Sequence, residues 1–279
     1  MHLRIVHSTT FEYDGLAAAS YNQARLTPPT AADQIVAHSR IDVTPTPWSL
    51  TYKDYFGNEV TSFEVLEMHD SLSIVATAHV HTLPGAEVEG RLTWQDLEAE
   101  EVLDRFTEYL TLTERVAPPP DFAERCDAIR AAAATPGEAA HGICDLVHAE
   151  VDYVVGATDV RSHGSEAWTQ RSGVCQDMAH LVIGGLRHLG IPARYVSGYL
   201  HPREDAAVGE TVRGESHAWV EWWDDGWRGF DPTNETHPGE RHVVVASGRD
   251  YDDVIPLQGI YAGAATDRMT VDVHVTRLA

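Results

Sequence analysis

The sequence predicts an α+β protein, and three observations carry that prediction. Residues 1 to about 85 alternate apolar and polar side chains as half-buried strands do. The middle of the chain carries apolar residues at three- and four-residue steps, the period of amphipathic helices. The last part returns to alternation. Strands, then helices, then strands argue for segregated layers rather than a doubly wound sheet. At 279 residues with 43% hydrophobic content the chain is long enough for two domains and a substantial core.

Taken in order, Leu72, Ile74, Ala76, Ala78 and Val80 alternate with polar or small neighbours and read as one strand of the first region. Phe56-Gly57-Asn58 supplies a turn signal. His79 and His81 share one face of their strand, but spacing provides no third ligand, so no metal is expected there. Asp96 to Leu110 reads as a short helix with Leu103, Phe106 and Leu110 in register. Pro118-Pro119-Pro120 is a stiff break. It marks the expected boundary between a β-rich domain with a helical connector, 1–116, and a second domain, 117–279. Two helices follow, split at Thr135-Pro136-Gly137, and a third begins beside Cys175 and stops at Gly190-Ile191-Pro192. Arg194 to Tyr199 and the alternating Met269, Val271, Val273 and Val275 are expected strands.

Composition excludes several roles. A formal charge of −23 argues against nucleic acid, which requires a basic footprint, and against anionic membrane surfaces. No apolar run is long enough for a bilayer span, and Met-His-Leu-Arg-Ile-Val-His alternates like a strand rather than a signal peptide. Three cysteines without paired spacing point to free thiols in a reducing compartment, so a bacterial-type cytoplasm is expected.

The three cysteines differ in setting. Cys126 falls in register with Phe122 and Ile129, and Cys144 beside Ala140, Ile143 and Val147, both on helical stripes that read as core. Cys175 instead follows Gly173-Val174, where a turn opens onto the Met178, Leu181, Val182, Leu186 stripe. The partial positive charge of a helix N-terminus stabilises a thiolate there. A nucleophile also needs a base. His217 lies in the alternating run Ser216 to Trp223, Asp224-Asp225-Gly226 signals a hairpin, and Trp227 to Asp231 reads as the returning strand. That hairpin brings His217 and Asp231 together, so the carboxylate orients one imidazole nitrogen and leaves the other for the thiol. Asp177 reads as a first-turn acid complementing the helix dipole, and His180 as structural. Zinc held by Cys175, His217 and Asp231 is the nearest competing reading, but no ligand pair among them has the usual metal spacing.

These residues also carry a resemblance. Gly-Val-Cys-Gln-Asp-Met-Ala-His-Leu at 173–181, Gly-Ile-Pro-Ala-Arg-Tyr-Val-Ser-Gly-Tyr at 190–199, His-Ala-Trp-Val-Glu at 217–221 and Phe-Asp-Pro-Thr-Asn at 230–234 resemble the bacterial transglutaminase-like family. Asp-Tyr-Phe-Gly-Asn at 54–58 is similar to the β-rich region that often precedes this core, and Gly-Arg-Asp-Tyr-Asp-Asp-Val at 248–254 also matches. The resemblance implies a papain-like transglutaminase core, helices packed on an antiparallel sheet, after a β-rich N-terminal domain. It implies Cys175 as nucleophile, His217 as base and acid, and Asp231 as orienter. Members include amide hydrolases and crosslinking acyltransferases, so the expected activity is a cysteine protease or amidase on peptide or amide bonds. The alternatives are a transglutaminase acting on an amine or a non-catalytic binding module. No cofactor is expected, and no calcium-loop pattern is present. The Cys175 backbone N–H is the expected half of an oxyanion hole, with Trp168 as a candidate for the other half.

Overall fold

A computed structural model of the chain describes residues 1–84 and 90–279. Five strands come first: β1 (His2–Ala24), β2 (Gln34–Thr44), β3 (Trp48–Lys53), β4 (Glu59–Val65) and β5 (His69–Thr82). Helices follow: α1 (Trp94–Leu97), α2 (Glu100–Arg105), α3 (Thr107–Leu110), α4 (Pro120–Ala132) and α5 (Pro136–Glu150). Then come β6 (Asp152–Tyr153), α6 (Gly164–Gln170), β7 (Ser172–Gly173) and α7 (Cys175–His188). The chain closes with β8 (Ala193–Leu200), β9 (Thr211–Trp223), β10 (Trp227–Phe230), β11 (His242–Gly248), β12 (Leu257–Gly263) and β13 (Thr266–Arg277).

Pairing in the main sheet is antiparallel throughout the described residues, in the order β11-β8-β9-β13-β1-β4-β3. The long strand β1 serves two sets of neighbours. Its first half lies between β5 and β13, and after a register break near Glu12 its second half lies between β4 and β12. Strand β13 bonds to β9 as well as β1, so one sheet runs from the N-terminal strands into the C-terminal ones. Leu3, Ile5, Ala78 and Val80 meet Tyr199, Val243, Val245, Val273 and Val275 in a shared apolar cluster.

The expected helix over Asp96–Leu110 is instead three short ones. The apolar spacing suits a helix, but Phe106 leaves helical geometry at φ −113°, ψ 20°. Thr107 turns its hydroxyl back onto the Leu103 carbonyl at 2.9 Å, a local bond that competes with a continuous helix.

Helix α7 organises the second half. The sequence marks one apolar face, yet every residue from Gln176 to Arg187 is buried. Strands β8 and β9 cover one side, and α4, α5 and α6 cover the other. Its polar residues therefore need internal partners. Arg187 donates to the carbonyls of Thr111, Ala193 and Arg249, and His180 Nε2 accepts the Tyr251 N–H at 3.2 Å. Close approach requires glycine: a Cβ on Gly184 would lie 1.9 Å from the Val116 carbonyl oxygen. Gly190, at φ +77°, terminates the helix as the sequence predicts.

Candidate active site

Cys175 is the first residue of α7, and its thiol is partly exposed. As the first helical residue, its backbone N–H has no intrahelical acceptor and is free for a ligand. Asp177 fixes this end of the helix: its Oδ2 accepts the Val174 N–H at 2.8 Å and the Thr158 hydroxyl at 2.5 Å. That is the first-turn role expected of it. Cys126 and Cys144 are fully buried in the helical core, where burial raises the Cys126 thiol to about 12 and Cys144 well above its ordinary value.

The β9–β10 hairpin brings the other two residues together. Phe230 pairs with Val220, so Asp231 emerges beside the strand that carries His217. His217 Nε2 lies 2.6 Å from Asp231 Oδ2. The ionised carboxylate only accepts, so Nε2 carries the proton and Nδ1 is left for Cys175. Burial alone would lower the His217 pKa, but the bonds to Asp231 and Cys175 outweigh it and push it up to about 10. Tyr153 and Tyr195 flank the thiol. Burial raises both phenols, and the charge of Cys175 adds to the rise.

Asp231 is fully buried and holds more partners than sequence reasoning assigns it. Besides His217, Oδ2 accepts from Asn234 Nδ2 at 2.8 Å and from His242 Nε2 at 3.2 Å. Oδ1 accepts the N–H groups of Thr233 at 3.0 Å and Asn234 at 3.2 Å. Burial acts to raise the carboxyl pKa, yet these donors carry it well below the ordinary range. His242 was missed because it opens the apolar run His-Val-Val-Val-Ala, and the β11–β8 pairing rather than local spacing delivers it. The N–H of Gly239 donates to its Nδ1 at 3.3 Å, which fixes the proton on Nε2, facing Asp231. Among the described residues, His217, Asp231 and His242 are the group whose ligand atoms converge within 4.8 Å. Two imidazoles sit on one carboxylate oxygen at hydrogen-bond separations, so proton sharing accounts for the arrangement.

Trp168 is corrected by the structure. Its indole N–H donates to Asp121 Oδ2 at 2.8 Å, and its ring packs on Phe122 between α4 and α6. With its only donor committed there, it cannot serve an oxyanion at Cys175.

Residues 3–81 match the bacterial transglutaminase-like N-terminal region, and residues 123–232 match the transglutaminase-like superfamily. The chain is 42% identical to an uncharacterised protein of Mycobacterium leprae over 99% of both chains. A 74-residue stretch, 24% of this chain and 11% of the other, is 39% identical to a protein-glutamine gamma-glutamyltransferase of Pseudomonas aeruginosa. The fold matches a protein of Cytophaga hutchinsonii described as a candidate cysteine protease. The TM-score is 0.76 at 22% identity, covering 98% of this chain and 90% of that one. The chain therefore belongs to the transglutaminase-like superfamily, with the bacterial N-terminal region of that family ahead of a papain-like core.

Proposed function

We propose that the protein is a thiol-dependent acyl-transfer enzyme, most simply a cysteine protease or amidase. One observation carries the reading: a partly exposed thiol heads α7 beside an imidazole that Asp231 clasps from behind. His217 Nδ1 takes the thiol proton, and the thiolate attacks a peptide or amide carbonyl carbon. The oxyanion that forms is met by the Cys175 backbone N–H. The imidazolium then returns its proton to the departing amine, which leaves a thioester on Cys175. Water, deprotonated by His217, attacks that thioester, releases the acid and restores the thiol.

A second reading replaces water with an amine, giving a new amide. The stretch shared with the Pseudomonas transferase favours it. So does the scarcity of internal acceptors, since Lys53 is the sole lysine of the chain. Water needs no dedicated acceptor channel, which favours hydrolysis. Mass spectrometry of a peptide library incubated with and without a primary amine separates the two. Gain of water at a cleaved bond means hydrolysis, and gain of the amine with loss of ammonia means transfer. An unchanged library, together with equal alkylation of all three cysteines, would leave a binding module instead.

A further inference from the structure

Four histidines outside the Cys175 site gather on the outward face of the N-terminal sheet. The sequence places His79 and His81 on one face of β5, because side chains two apart in a strand point the same way. What it cannot supply is the neighbours. Pairing sets His2 of β1 directly opposite His81, and His38 of β2 directly opposite His79. Three adjacent strands thus bring their imidazoles to one patch. The His2 and His81 rings stack with centroids 3.7 Å apart. The His79 ring stands edge-on to both His2, at 6.2 Å, and His38, at 5.8 Å.

We propose that this patch is a transition-metal site, with His2 and His79 as its central ligands and His81 and His38 completing the set. Imidazole nitrogens suit zinc, nickel and copper. Histidine holds zinc at about 2.0–2.1 Å, so two rings on one tetrahedral ion have centroids roughly 5 Å apart. The observed separations from His79 exceed that by about an ångström and the His2–His81 stack falls short of it, so ligation requires rotation of the exposed rings. His38 and His81 are exposed and can rotate inward, while His2 and His79 are half-buried and set the centre.

A further observation points to a ligand. Among the described residues, His2 Nε2 has no hydrogen-bond partner although it is buried, an arrangement that is costly unless something binds it. Arg4, opposite His79, opposes a cation there, but its side chain is exposed and can extend into solvent. A bound ion would tie β1, β5 and β2 together and so stabilise the region independently of the thiol chemistry.

Zinc titration into full-length Cys175→Ser protein tests this, since the substitution removes the thiol as a rival ligand. Calorimetry should show a site that His79→Gln or His2→Gln weakens at least tenfold, and His38→Gln or His81→Gln by less. Zinc should raise the Tm of the parent but not of His79→Gln, whose metal-free circular dichroism should match the parent. Zinc affinity unchanged by His79→Gln would overturn the proposal. So would a site lost with His242→Gln instead, or no binding tighter than about 100 µM.

Discussion

Replacing Asp231 by asparagine tests the electrostatics of the site without needing a substrate. Asp231 Oδ1 accepts two backbone N–H groups, so the asparagine oxygen takes that place and its NH2 faces His217, His242 and Asn234. His217 must then present Nε2 as an acceptor and move its proton to Nδ1, toward the thiol. In that tautomer it cannot take the thiol proton. The lost bond is charge-assisted and fully buried on the carboxylate side, worth about 1.5–3 kcal/mol. At 1.36 kcal/mol per unit, the imidazolium loses roughly one to two pKa units of support. The iodoacetamide rate at Cys175 near pH 6 should therefore fall about 10- to 100-fold. The wild-type and Asp231→Asn profiles should converge as pH approaches about 10, where His217 gives up its proton in the wild type too. Coincident profiles across the whole range would show that Asp231 does not set the protonation of His217.

At neutral pH iodoacetamide should label Cys175 well before Cys126 and Cys144, whose thiols burial holds protonated. Peptide mapping of the native protein reads this directly. Cys175→Ala and His217→Ala should each abolish turnover, and the double variant should be little worse, whereas Asp231→Asn retains more activity than either. His242→Gln, which removes one of the three side-chain donors to Asp231 Oδ2, should lower kcat by roughly 3- to 10-fold while leaving KM unchanged. Stability should fall on acidification. His7 and His180 are held neutral by burial, with pKa values lowered to about 4 and about 3, so the unfolded chain binds more protons as pH drops below 6.5. Asp231 adds to the same trend at lower pH, as its contribution is lost on protonation through its depressed folded pKa. Denaturant midpoints measured between pH 7 and pH 4 should decline steadily.

Much of this arrangement was legible in local sequence because local rules produce it. The Cys175 helix start, the Gly190 stop and the Asp224-Asp225-Gly226 hairpin each depend on a few consecutive residues, and each stands where it was read. The juxtaposition of His217 and Asp231 follows from that hairpin alone. The remainder depends on packing that no short window contains. Complete burial of α7 needs the sheet and three helices at once, so a single apolar stripe in the sequence does not reveal it. Trp168 looked available because its partner, Asp121, lies 47 positions away. His242 reaches Asp231 through strand order, and the neighbours of His79 and His81 come from β1 and β2. Register decides such contacts, and register is a property of the assembled sheet.

In the proposed reaction Cys175 carries the acyl group. Acid-quenched intact-protein mass spectrometry after brief mixing with an amide or peptide pool tests it most directly. A transient adduct should appear that maps to Cys175, is cleaved by hydroxylamine and is absent from Cys175→Ala. Turnover that persists in Cys175→Ala, or an adduct that maps to another residue, would contradict it.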